Sequence, residues 1–125
     1  MIWNTKEITA RFNMSNHLDR KDMIMFPILE NIEPEKPVSG NHYWVFNLNI
    51  RDKRFEVLDS WRTLDNPVLD KNARLIAATV RSLWEHHYGH SCVVLDKYPL
   101  VNIDAPRQNN EAVPKYERSD IPNIR

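Results

Sequence analysis

The sequence predicts one α+β domain, a mainly antiparallel sheet with a single long amphipathic helix. Two stretches carry that prediction. In "NHYWVFNLNIRDKRFEVLDSW", residues 41 to 61, two runs of alternating apolar residues flank a charged turn, the pattern of a strand pair. In "DKNARLIAATVRSLWEHHYG", residues 70 to 89, the apolar residues Ile76, Val80, Leu83 and Trp84, followed by His87, recur at helical spacing. A chain of 125 residues has room for one core and not for two independent ones.

Taken in order, residues 4 to 14 read as a short helix with Asn4 or Thr5 as its cap and a loose apolar face of Ile8, Ala10 and Phe12. Met23 to Phe26 read as a strand stopped by Pro27. "EPEKPVSGN" is a loop, because prolines and a glycine break any period. In the first hairpin strand His42, Trp44, Phe46, Leu48 and Ile50 share one face, while Tyr43, Val45, Asn47 and Asn49 take the other. In the second, Phe55, Val57 and Asp59 share a face. The pairing that sets Phe55 and Val57 beside the Trp44 row also sets Asp59 beside His42. The long helix is expected to start with Asp70 as cap and to stop at Gly89. "CVVL" and "PLVNI" read as two short strands, and residues 108 to 125 as a polar, flexible tail behind a domain spanning 1 to 107.

Composition removes several function classes. Lys plus Arg and Asp plus Glu both total 17, so no net field draws the chain to nucleic acid or to anionic lipid. No apolar run approaches membrane-spanning length, and the amino terminus has charges where a signal peptide needs an apolar segment. The single cysteine, Cys92, excludes an intrachain disulfide and suits a reducing compartment, so a nuclear or cytoplasmic location is expected. "HHYGHSC" brings imidazoles near a thiol, but Gly89 interrupts the helix between His86 and His90 and a fourth ligand is not evident; neither metal nor cofactor is expected.

His42 opening an aromatic strand, Asp59-Ser60 closing the next, an amphipathic helix and then "PRQNN" together resemble the ubiquitin-like-protein (SUMO-type) cysteine proteases, most nearly the plant, transposon-associated type. The resemblance runs from about Asp22 to Asn110. It implies a papain-like fold in which His42 is the base, Asp59 orients its imidazole, and Gln108 donates to the oxyanion. It also implies that the aromatic after the histidine, here Tyr43, helps grip the modifier's tail. Trp44, Phe46, Leu48 and Trp61 complete the expected binding set.

The chain departs from the family at the nucleophile. Where the family has Asp-Cys-Gly opening a long buried helix, this sequence has "EAVPKYE", with Pro114 at the position of the cysteine. Cys92 follows the carboxyl end of the long helix, where the dipole disfavours a thiolate, and leads into "VVL"; it is expected to be a packed core thiol. The fold is therefore expected to be incomplete. The cysteine helix of the family would cover the face bearing Trp44, Phe46 and Leu48, so that face is expected to be bare and to be covered by a protein partner or a second copy, a ubiquitin-like modifier being one candidate. The function expected is a catalytically incomplete protease homologue acting as an interaction domain. The alternative is an active thiol protease whose nucleophile is Cys92 or comes from a partner chain.

Overall fold

The computed structural model describes residues 5–33, 35–36 and 40–104. Helix α1 (Thr5–Ala10) and two 3₁₀ turns (Met14–Asn16 and Leu18–Arg20) lead into strand β1 (Met23–Asn31). Strands β2 (Asn41–Asn49) and β3 (Arg54–Leu58), helix α2 (Pro67–Tyr88) and strand β4 (Leu100–Asn102) follow. The sheet order is β1-β2-β3-β4, antiparallel except for the parallel β3–β4 pair that α2 connects. A parallel pair needs such a crossover, and the helix must then lie on one sheet face. No helix among the described residues is long and apolar enough to cross a membrane.

Alternation decides which side chains meet that helix. Ile24, Phe26 and Ile28 of β1, Trp44, Phe46 and Leu48 of β2, and Phe55 and Val57 of β3 all point to α2 and are buried. From the helix, Leu69, Ala73, Ile76, Ala77, Val80, Trp84 and Tyr88 close the core at i, i+3, i+4 and i+7 spacing. Each of the large residues contributes about 1.5–3 kcal/mol of burial. Phe12 stacks on Phe26 and meets Trp84 edge-on, which anchors the amino-terminal segment at the far end of α2.

Several expectations are corrected here. The row of Trp44, Phe46 and Leu48 is not bare: their exposures are 2%, 0% and 0%, because α2 itself provides the cover. None of the three can line a binding surface, and a partner has no such face to cover. β1 does not stop at Pro27 but runs through it to Asn31. Proline is tolerated because β1 is an edge strand, so a missing N–H on its outer side breaks no ladder. Helix α2 starts a turn early, with Asn66, not Asp70, as cap: its side chain accepts from the backbone N–H groups of Val68 and Leu69. Pro67 then occupies the first turn, where its missing donor costs nothing. The helix ends at Gly89, which keeps right-handed backbone angles. "CVVL" is irregular chain, not a strand, and Cys92 is exposed, not packed. The amino-terminal helix is shorter than expected. The expected tail, and Gln108 with it, lies outside the described residues.

Candidate functional site

The hairpin register builds the site. Val45 pairs with Leu58 and Phe46 with Val57, so the same register carried past β3 sets Trp44 opposite Asp59 and His42 opposite Trp61. His42 and Asp59 are thus diagonal neighbours, within reach across one pleat. His42 Nε2 lies 2.9 Å from Asp59 Oδ1, and both side chains are buried. Trp61, the neighbour opposite, lays its ring on the imidazole with centroids 5.0 Å apart and planes 14° from parallel.

Asp59 is held from every side. Its Oδ1 also accepts from the backbone N–H groups of Trp61 (2.7 Å) and Arg62 (3.0 Å), a turn closed by the aspartate side chain itself. Its Oδ2 accepts from Arg62 Nε at 3.0 Å and Nη2 at 2.9 Å. Burial alone would raise the Asp59 pKa, but the Trp61 N–H, the His42 ring and the Arg62 donors outweigh it and hold the carboxyl below its ordinary value. As an ionised carboxylate Asp59 can only accept, so Nε2 of His42 carries the proton shared with it. In the neutral ring the lone pair is then at Nδ1, fixed in direction by Asp59 and in tilt by Trp61.

A second carboxylate completes the cluster. Glu30 of β1 lies directly opposite His42 in the β1–β2 ladder. It receives Arg62 Nη1 at 3.0 Å on one oxygen, and Nη2 and Trp44 Nε1, both at 3.1 Å, on the other. Burial opposes its ionisation, but Arg62, through hydrogen bonding and charge, and then Trp44 and Asn72 of α2 bring its pKa below the ordinary value. The Asn72 Nδ2 has no close partner, so its effect on Glu30 is exerted at longer range than a formed hydrogen bond. Arg62 pays for its own desolvation through these two carboxylates, which raise its pKa further.

Sequence reasoning brought His42 and Asp59 together but missed Glu30 and Arg62. Ending β1 at Pro27 removed Glu30 from the sheet; continuing the alternation of Ile24, Phe26 and Ile28 would have placed it on the core face. Arg62 has no periodic signal. Of the expected binding residues, Trp61 sits on the histidine with 41% of its surface exposed. Tyr43 is 69% exposed but points to the opposite sheet face from His42.

No thiol joins the pair. Trp84 Nε1 donates to the Val93 carbonyl, which fixes Cys92 at the level of the last turns of α2. The charged cluster meets α2 near Asn72. At about 1.5 Å per residue, the two lie on the order of 20 Å apart along the helix. Among the described residues no cluster of three or more His, Cys, Asp or Glu side chains could hold a metal ion. The arrangement therefore offers a proton acceptor of fixed orientation beside an exposed aromatic ring, with no thiol in reach among the described residues.

No family model and no curated protein matches the sequence. Two solved structures of the SUMO protease Ulp1 are similar in fold, one with the catalytic cysteine oxidised to a sulfenic acid and one to a sulfonic acid. Both are 17% identical, with TM-scores of 0.57 and 0.55, over 85% of this chain and 41% of the solved chain. The chain thus spans about two-fifths of the length of those structures. Its mostly antiparallel four-stranded sheet and long helix match part of the Ulp1 fold.

Proposed function

We propose that this chain is a catalytically incomplete relative of the ubiquitin-like-protein proteases, of the plant transposon-associated kind, and works as a protein-binding domain. The observation that carries the reading is a fully clamped His42–Asp59 pair with the chain's one cysteine at the other end of α2. A buried His–Asp–Arg–Glu cluster is costly to assemble, and its geometry fits a role beyond packing. Without a thiol the site can bind but cannot form a thioester. Trp61, half over the histidine and half in solvent, is the aromatic contact for an extended chain end, and a ubiquitin-like modifier is the partner class that the fold suggests. A nuclear or cytoplasmic location accompanies that partner.

The test uses a SUMO-type modifier in two forms, one native and one with a carboxyl-terminal electrophile. Saturable, reversible binding of the native form is expected, weakened about tenfold by Trp61→Ala, with no covalent adduct from the electrophile. An adduct that disappears in Cys92→Ser would establish the thiol-protease alternative. Absence of binding to any modifier of this class would remove the partner assignment.

A further inference from the structure

The β2–β3 ladder stops at Val45 and Leu58, so beyond that point the flank of β2 beside His42 is taken by irregular chain, residues 59–62. That turn carries Trp61, whose ring lies on His42 with 41% of its surface in solvent. One ring contact with its other side in water is a weak restraint. The turn is fastened from within instead. Arg62, the next residue, reaches past β2 to β1 and meets Glu30 end-on, with Nη1 donating to Oε2 at 3.0 Å and Nη2 to Oε1 at 3.1 Å. Its Nε and Nη2 also hold Asp59 Oδ2. Glu30 is anchored in turn by its strand and by Trp44 Nε1, which donates to Oε1. A charged contact made at two points sets direction as well as distance.

We infer that Glu30 is a positioning residue for Trp61: by gripping Arg62 from two strands away it holds the 59–62 turn against the sheet and sets the ring where a ligand meets it. Glu30 is 2% exposed and cannot itself meet a ligand, so its effect on binding passes through Arg62 and the turn. Arg62 is the link because its guanidinium uses one edge for the carboxylate of its own turn and the other for the carboxylate of β1. The fork has no slack: Nη2 serves both carboxylates at once, at 2.9 and 3.1 Å, so a shift of Glu30 is felt at Asp59 and at the residues between. The inference rests on the reading of Trp61 as the ligand contact, but the placement of the ring is measured without any ligand.

The ¹H shifts of the His42 ring report that placement, because they carry the ring current of Trp61, and Trp61→Ala gives their values with the ring absent. Glu30→Gln keeps an oxygen for Trp44 and Nη2 but sets an amide nitrogen against Nη1. It is expected to move the His42 protons toward their Trp61→Ala values. It is also expected to weaken binding of the native SUMO-type modifier, by less than the about tenfold expected of Trp61→Ala. Arg62→Lys keeps the charge, loses the fork and is expected to do the same; it decides the matter if far-ultraviolet circular dichroism shows Glu30→Gln unfolded. Val80→Ala, in the core and about 12 Å along α2 from Asn72, lowers stability away from the turn and is expected to leave the His42 protons in place. His42 protons unmoved in folded Glu30→Gln overturn the inference. So do protons that Val80→Ala moves equally, because general loosening would then account for both. A wild-type chain that binds no modifier, while Glu30→Gln still moves the His42 protons, removes the proposed function and upholds the positioning of the ring.

Discussion

The chain buries two arginine–carboxylate clusters on opposite faces of one sheet, and they are built on different terms. On the outer face Glu56 accepts from Asn47, Asn49 and Arg54, one negative charge answered by one positive charge and two amides. On the α2 face one guanidinium, Arg62, answers two carboxylates, Glu30 and Asp59, and the remaining negative charge faces His42. The first cluster is electrically complete and ties the hairpin turn to the strands, since Asn49 also binds Asp52. In the second, two carboxylates share one guanidinium, and the imidazole of His42 sits against one of them. The first thus balances its charge within the hairpin, whereas the second depends on a single buried guanidinium for both of its carboxylates.

Removing the arginine of each cluster would break or confirm that contrast, and gives the largest effects expected. Arg62 has a side-chain exposure of 10%, and its loss leaves two buried carboxylates facing each other. Arg62→Met is expected to cost about 3–5 kcal/mol, read from urea unfolding. Arg54 is 37% exposed and Glu56 keeps both amide donors without it. Arg54→Met is expected to cost about 1 kcal/mol or less. Equal costs would show that the two clusters do the same work.

Acid sharpens the comparison next. Glu30, Asp59 and Glu56 all have folded-state pKa values below their ordinary ones; burial opposes this in each and hydrogen bonding prevails. The unfolded chain therefore binds protons first, so stability is full above the unfolded values, near pH 4, and falls as pH drops through the lower folded ones. Urea midpoints should decline below about pH 4.5. Glu56→Gln should remove one carboxylate's share of that decline and leave the Glu30 and Asp59 share in place. An unchanged slope would mean that Glu56 is not ionised in the fold.

Asp59→Asn sets an amide nitrogen against the arginine. The Oδ1 position accepts from the Trp61 and Arg62 backbone N–H groups as well as from His42 Nε2, so an asparagine keeps its oxygen there and turns its Nδ2 toward the Arg62 donors, while Arg62 retains Glu30. A loss of about 1–3 kcal/mol is expected, with the ¹⁵N shifts of His42 reporting a retained Nε2–H tautomer. A proton moved to Nδ1 in this variant would mean that the backbone donors do not fix the group that orients the ring.

The His42–Asp59 contact was legible because alternation and a hairpin suffice to place it: both residues lie on core-facing parity, and Phe55 and Val57 fix which faces meet. The α2 helix was legible by period, although its start was not. Asp70 lies inside the apolar pattern, whereas the true cap, Asn66, stands before a proline that reads as a break. Proline misled a second time at Pro27, where only the sheet order reveals an edge strand. The cover of the sheet was misjudged for a different reason. Parity says that Trp44, Phe46 and Leu48 share a face with something, but not with what. That depends on which way the β3–α2–β4 crossover turns, a long-range property no local window contains.

The smallest expected effect isolates the turn that the outer cluster supports. "RDKR" has no glycine, yet Lys53 adopts φ 58°, the left-handed region where a side chain costs about 1–2 kcal/mol. Asn49 stabilises the turn in compensation, accepting from the Asp52 N–H at 2.9 Å and donating to its carboxylate at 3.1 Å. Lys53 is exposed and makes no ion pair among the described residues, so Lys53→Gly relieves the strain and gives back part of it as unfolded-chain entropy. A net gain of about 0.5–1 kcal/mol is expected in urea unfolding. The ¹⁵N shifts of His42 should not move, because the turn belongs to the neutral cluster alone. A shift there would couple the two faces of the sheet and dissolve the distinction between them.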